Sequence, residues 1–329
     1  MHRYHVYGLG AALVDTEIEV NDDFLNQAKI EKGLMTLVDE ARQSELLSLM
    51  KSHLVGSTRS SGGSACNSII AASYFGAKTF YSCKVANDDN GRFFQDDTKA
   101  AGVSTPNLTL PQGTTGKCLV MITPDAERTM NTFLGISETL SSNELDAEAI
   151  ANSDYVYLEG YLVTSPSGKA AAIKAREIAE QHKVKTALSL SDPGMVQFFK
   201  DGLKEMIGQQ VDLIFCNKDE ALGWTNTDNI QDAAEAMKSS ARTFAITLGA
   251  EGALVFDGST LTQVSGSSAK AIDTNGAGDM FAGAFLYAIT SGHDFPTAAK
   301  LANQAAAQVV SQYGPRLKPE QHASLKSGL

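Results

Sequence analysis

Cysteine, tryptophan and proline are scarce in this sequence, at four, one and eight residues out of 329. Cys66, Cys83, Cys118 and Cys216 show no Cys-x-x-Cys spacing, which argues against a disulfide framework or a cysteine-based metal site and for buried thiols in a reducing compartment. Long apolar runs are missing too. Residues 281–289 form the longest one near the C-terminal end and are too short to cross a bilayer. Residues 6–14 are interrupted by Gly8 and Gly10, so they read as a first buried strand and turn rather than a signal peptide. These features predict a cytoplasmic protein. Basic charge is in deficit, with 27 Lys and Arg against 38 Asp and Glu and a net charge of −11. Such a chain repels polyanions, which argues against nucleic acid and anionic membrane as partners. A small anionic ligand stays open, because clustered backbone N–H groups hold a phosphate without net positive charge. The sequence also lacks Gly-x-x-x-x-Gly-Lys-[Ser/Thr], His-Glu-x-x-His and Gly-x-Ser-x-Gly, and its six histidines form no ligand-spaced cluster. Gly8-Leu9-Gly10-Ala11-Ala12-Leu13 lacks the third small residue of a dinucleotide fingerprint.

What is present describes a folded chain, 43% hydrophobic and 20% charged. A chain of this length buries about three-quarters of its unfolded surface, enough to fold without a disulfide or zinc staple. Strands are predicted over 6–10, 79–85, 154–159, 185–190, 211–217, 244–248 and 253–256. Helices are predicted over 40–50, 90–101, 167–182, 276–291 and 297–313. This alternation implies a three-layer α/β/α domain with a mainly parallel sheet. Four half-polar runs interrupt it in two pairs, 14–21 with 34–38 and 117–123 with 128–133, the second pair turning at Asp125 and Ala126. They predict a small β-sheet lid, inserted at about 14–38 and 112–135 in a single domain of residues 1–329. Its expected place is over the C-terminal edge of the main sheet, where open α/β folds bind ligands.

The most informative string is Asp273-Thr274-Asn275-Gly276-Ala277-Gly278-Asp279, which opens an apolar helix. Its glycines permit tight turns and close approach of a ligand. Helix-initial N–H groups lack intrahelical partners, and the helix dipole favours an anion there. Asp279, at the start of the same helix, is placed to accept a proton from a hydroxyl attacking beside that cradle. By itself a Gly-x-Gly-Asp string is more often an ordinary helix cap. Ser61-Gly62-Gly63-Ser64-Ala65-Cys66-Asn67 precedes an Ala-rich helix over 68–75. Its glycines admit a polyhydroxylated ligand and Asn67 offers a donor and an acceptor, although Gly-Gly before a helix is also simply a turn. Asn217-Lys218-Asp219-Glu220 ends the strand 211–217, with Asn217 and Glu220 on one side of a helical turn. Polar helix starts are common, so this pattern alone is weak.

Taken in order, these strings resemble the two signatures and the intervening Asn-x-x-Glu of the ribokinase-type (PfkB) carbohydrate kinase family, over about residues 4–317. Ala86-Asn87-Asp88-Asp89-Asn90-Gly91 resembles the family's Gly-x-Asp-x-x-Gly stretch, with Ala86 where glycine is common. The resemblance implies a ribokinase-like fold with a β-lid and transfer of the γ-phosphoryl of ATP to a hydroxymethyl group. It implies Asp279 as catalytic base and Gly276, Ala277 and Gly278 as anion hole. Substrate contacts are implied for Asp15, Gly62, Gly63 and Asn67, and nucleotide-side contacts for Asn217, Glu220, Thr247, Gly249, Gly252 and Asn303. Mg²⁺ is implied at Glu220 through water, and a monovalent cation such as K⁺ near Asp273, Gln312 and Gly314. Residues 128–135, 157–161 and 314–316 look like those of adenosine-kinase-like bacterial members, which implies a ribonucleoside acceptor. Pairing of the lid between subunits is common in the family, which implies a homodimer. A free sugar such as ribose or fructose is the alternative acceptor, to be decided by an apolar slot for a base near Phe133 and Leu134. A non-catalytic sugar or nucleoside sensor is the remaining alternative, and an intact Asp279 beside Gly-Ala-Gly argues against it.

Overall fold

The computed structural model describes residues 4–50, 58–125 and 127–328. Among them thirteen strands divide between two sheets. In chain order they are β1 (Tyr4–Leu9), β2 (Leu13–Glu19), β3 (Met35–Leu37), β4 (Thr58–Gly62), β5 (Thr79–Ser82), β6 (Thr115–Ile122), β7 (Arg128–Gly135), β8 (Ser153–Glu159), β9 (Lys185–Ser189), β10 (Val211–Asn217), β11 (Ala241–Thr247), β12 (Ala253–Phe256) and β13 (Leu261–Val264).

The large sheet runs β13-β12-β11-β10-β9-β8-β1-β5. Every neighbouring pair from β5 to β11 is parallel, and β12 and β13 extend one edge antiparallel. Successive side chains on a strand point to opposite faces, and here both faces are apolar. On β8, Tyr155 and Tyr157 join a core shared with helices Ser64–Phe75, Ala277–Thr290 and Phe295–Val309. Val156 and Leu158 join the core on the other face, with Ala171 and Ala175 of helix Pro166–Gln181. A strand covered on both sides reads as a continuous apolar run, which is the pattern of a helix-covered parallel sheet. The expected three layers are present.

Helix Ala277–Thr290 is buried from Met280 to Ala288, on every side, as a helix with neighbours all round must be. It meets helix Ser64–Phe75 at Gly283, where a Cβ would collide with the Ser68 carbonyl oxygen. One turn earlier on each helix lie Asp279 and Ser64. The close crossing therefore brings the two helix starts together.

The small sheet runs β3-β7-β6-β2-β4. β6 and β7 form the expected hairpin, closed by the Thr123 N–H donating to the Glu127 carbonyl at 3.0 Å. Asp125 lies in that turn, and Ala126 lies outside the described residues. The earlier pair is arranged differently from expectation. β2 is an interior strand, parallel to β6 and antiparallel to β4, whereas β3 joins the far edge beside β7. β4 itself is an addition: Thr58-Arg59-Ser60-Ser61-Gly62 has no apolar alternation, so its pairing with β2 is imposed by tertiary context rather than propensity. The helix after it begins at Ser64, not at 68, because Gly63 at φ +99° turns the chain directly out of β4. Asn67 thus lies in the first helical turn.

Helices Asp22–Gln27 and Glu40–Leu49 cover the outer face of the small sheet through Leu25 and Leu46, packed with Ile18, Leu119 and Met121. Its inner face carries Leu13, Cys118, Met130 and Leu134 and looks toward the C-terminal ends of β8, β10 and β11.

Candidate active site

A cavity of about 380 Å³ separates the inner face of the small sheet from the C-terminal edge of the large one. Its floor is the start of helix Ala277–Thr290. Gly276 caps that helix at φ +74°, a conformation closed to most side chains, and a Cβ there would lie 2.5 Å from Cβ of Pro315. The turn thus aims the start of the helix at the cavity, with the Ala277 N–H donating to the Thr274 carbonyl at 3.3 Å. Asp279 is half-buried beside them. One carboxylate oxygen accepts from Ser64 Oγ at 2.6 Å and the other from Asn67 Nδ2 at 3.0 Å. Burial raises its pKa above the usual carboxylate value, while Ser64, Asn67, Arg128 and Arg316 pull the other way.

The sequence-expected residues divide into those that line the cavity and those that do not. Asp15, Gly63, Asn67, Asn217, Glu220, Thr247, Gly249 and the stretch Gly276, Ala277, Gly278 and Asp279 line it. Gly62 lies just behind, at the end of β4, with the Asp15 carboxylate packed on it. Asp15 is 5% exposed, and burial, then the neighbouring Glu17, pushes its pKa up to about 8. Asn217 and Glu220 cap helix Lys218–Thr225 reciprocally: Asn217 Oδ1 accepts from the Glu220 N–H at 2.8 Å, and Glu220 accepts from the Asn217 N–H at 3.1 Å and Nδ2 at 2.6 Å. The ordinary capping role and the cavity-facing placement are both present. Burial pushes Glu220 up to about 7.

Gly252 is outside the cavity, at φ +100° in the tight turn before β12. Asn303 is outside it too. Its Nδ2 donates to the carbonyls of Val264 at 3.2 Å and Ser265 at 3.1 Å, tying helix Phe295–Val309 to the end of β13. Asp273 and Gly314 are brought together: the fully buried Asp273 carboxylate accepts from the N–H of Asn275 at 2.8 Å and of Gly314 at 2.9 Å. Gln312 donates to the Arg316 carbonyl at 2.8 Å. Both Asp273 oxygens are engaged by N–H groups, so backbone carbonyls are the donors left for a cation there. Among the described residues no group of three or more His, Cys, Asp or Glu is placed to hold a metal. Mg²⁺ takes most of its ligands from phosphates and water, and the cavity-facing Glu220 fits the single carboxylate such an ion needs.

Four residues of the site were not expected from their own sequence positions. Ser64 is the second donor to Asp279. Glu159, 1% exposed at the end of β8, accepts from the N–H groups of Ala11 and Ala65, each at 2.8 Å, and so holds the β1–β2 turn to the start of helix Ser64–Phe75. Burial pushes it up to about 7. The signal for it was a carboxylate ending an apolar strand at the ligand-binding edge. Arg128 lines the cavity from β7, beside Met130, Thr132 and Leu134 at every second position. Among the described residues no carboxylate closes on it as an ion pair; burial works against its charged form, while Tyr161, Asp279, Asp192 and Glu127 favour it. Arg316 reaches Asn67 from the far end of the chain. Phe133 differs from expectation: it points away from the cavity, into a separate surface groove with Lys84, Pro111 and Ile136, because it is out of step with the inward-facing residues of β7.

The model of the pfkB family of carbohydrate kinases matches residues 38–322. The chain belongs to that family. PfkB kinases are phosphotransferases with an alcohol group as acceptor, and this one has relatives of both the nucleoside and the sugar kind. An adenosine kinase from Sinorhizobium meliloti superposes with a TM-score of 0.94 at 33% identity, covering 99% of this chain and 100% of that one. A probable sugar kinase from Rhizobium etli superposes with a TM-score of 0.93 at 32% identity, covering 100% and 99%. In sequence, the adenosine kinase of Schizophyllum commune is 27% identical over 97% of this chain and 98% of its own length. The PfkB family implies ATP as phosphoryl donor. No helix among the described residues is long and apolar enough to cross a membrane.

Proposed function

We propose that this PfkB kinase transfers the γ-phosphoryl of ATP to the hydroxymethyl group of a ribonucleoside of the adenosine type. The observation that carries the acceptor is the apolar roof: Leu13, Met35, Met130 and Leu134 line the cavity from the small sheet. A purine presents two flat apolar faces and suits such a surface. A free sugar is polar all round and would leave the roof bare. Asp15 and Asn67 lie below, where ribose hydroxyls need polar partners. The adenosine kinases among the relatives support the same reading.

In this reading Asp279 accepts the hydroxymethyl proton as that oxygen attacks the γ-phosphorus in line. The bond from the γ-phosphorus to the β–γ bridging oxygen breaks, ADP leaves and the phosphoryl group stays on the acceptor. The N–H groups of Gly276, Ala277 and Gly278 stabilise charge on the transferring group, and Arg128 faces the same space from above. Glu220 would help hold Mg²⁺ through water, and the ion would supply charge neutralisation at the phosphates. In the same reading the nucleotide lies at the ends of β10 and β11, beside Asn217 and Thr247. A monovalent cation beside Asp273 and Gly314 and a homodimer through the small sheet are further parts of the proposal.

The test is ADP release against adenosine, inosine, guanosine, ribose, fructose and fructose phosphates, with Asp279→Asn beside the wild type. Turnover on a nucleoside is expected, reduced about 10²–10⁴-fold in the variant. Turnover on a free sugar alone would overturn the acceptor, and undiminished turnover in the variant would overturn the base.

A further inference from the structure

Three consecutive residues, Gly314, Pro315 and Arg316, touch both loops that build the floor of the cavity. The Gly314 N–H donates to Asp273, and Pro315 packs on Gly276. Arg316 crosses to the other loop. Its Nη1 donates to Asp97 at 2.8 Å, its Nη2 to Ser61 Oγ at 2.9 Å and its Nε to Asn67 Oδ1 at 3.4 Å. Asp97 is itself held by Ser61, through the N–H at 3.1 Å and through Oγ. Burial works against the charged form of Asp97, but the guanidinium and the Ser61 donors outweigh it and hold its carboxyl below the usual range. The Arg316 side chain is 14% exposed, a guanidinium fixed on three acceptors from separate parts of the fold.

Asn67 stands between this guanidinium and Asp279. A guanidinium has donors only, and a carboxylate has acceptors only. One orientation of the Asn67 amide satisfies both: Oδ1 toward Arg316 and Nδ2 toward Asp279. Turned by half a revolution, it would set NH₂ against guanidinium and C=O against carboxylate, losing two hydrogen bonds and creating two repulsive contacts. We propose that Arg316 is a positioning residue for phosphoryl transfer, locking the Asn67 amide so that its NH₂ faces Asp279 and orients that carboxylate. The inference rests on the reading of Asp279 as the base. The competing account makes Arg316–Asp97 a purely structural ion pair that anchors the segment after helix Phe295–Val309.

Steady-state kinetics of Arg316→Lys, Arg316→Met, Asn67→Ala and the double variants separate the two. A lysine ammonium keeps a charge beside Asp97 but lacks the planar fork that spans Asp97, Ser61 and Asn67 together. Arg316→Lys is expected to melt near the wild type, to lose about tenfold or more in kcat and to change KM for ATP little. The acid limb of its kcat–pH profile is expected to move to higher pH, because a freed amide presents its oxygen to the carboxylate. The other charged and titratable groups facing Asp279 are Arg128, Asp15, Glu159, Tyr81, Tyr157 and Tyr161, and none is altered in the variant. In an Asn67→Ala background the substitution at 316 is expected to add less than about twofold, since the two residues act as a unit. A folded Arg316→Lys with wild-type kcat and pH profile would overturn the proposal, as would full additivity with Asn67→Ala. Should Arg316→Met fail to fold, the lysine variant still decides. A wild type that phosphorylates no acceptor would instead sink the kinase reading; with an active wild type, the variants bear on positioning alone.

Discussion

Four of the carboxylates that line the cavity, Asp15, Glu159, Glu220 and Asp279, have their pKa raised by burial. Taking these carboxylates out of water disfavours their charged forms. The cost shows in the pH dependence of stability. A group whose folded pKa exceeds its unfolded one binds more protons when folded, so stability falls as pH rises between the two values. For Asp15 the interval runs from about 4, the free value, to about 8. The unliganded protein is expected to lose thermal stability across it, and Asp15→Asn, which has no charge to develop, to flatten the loss. Melting curves across the interval check this; an unchanged slope in the variant would place the titration elsewhere.

At the scale of elements, the alternation of β7 assigns its side chains to different surfaces. Leu134 faces the cavity and Phe133 the outer groove. Leu134→Gln is expected to raise the nucleoside KM by roughly tenfold, and Phe133→Ser by less than about twofold. Comparable effects from both would contradict the assignment of the roof. The same strand shows what the sequence made legible. Seven strands of the large sheet were readable because each is a run largely buried on both faces between helices with their own periodicity, whereas the exposed and half-buried edge strand β13 was not. β4 was not, since Thr58-Arg59-Ser60-Ser61-Gly62 forms a strand only because β2 lies beside it. The string from Gly276 to Asp279 and the pair Asn217–Glu220 stood out because each is local, a helix start and a cap written within a few residues. Ser64, Glu159 and Arg316 did not, since their partners lie 215, 148 and 249 residues away along the chain. Phe133 and Leu134 are adjacent in sequence, and only the strand register separates them.

The whole molecule holds its acceptor space between two sheets, one built into the core and one joined to it by crossing segments. Closing the small sheet would exclude water from the phosphoryl group in transit. Acceptor and a non-hydrolysable ATP analogue together are expected to slow amide hydrogen exchange in β3 and β7, and to leave β13 nearly unchanged. Equal exchange in β3 and β7 with and without ligands would argue for a static roof.

The crossing of helices Ser64–Phe75 and Ala277–Thr290 at Gly283 also bears on the birth of the protein. Asp279 lies 215 positions after Ser64, and that whole stretch must be synthesised before the carboxylate can meet its hydroxyl donor. Contacts this distant in sequence form late, after much of the chain is already ordered. An unfinished chain on the ribosome can therefore build most of the central sheet while its chemistry remains dormant. Maturation of the fold and onset of activity coincide in one late docking event.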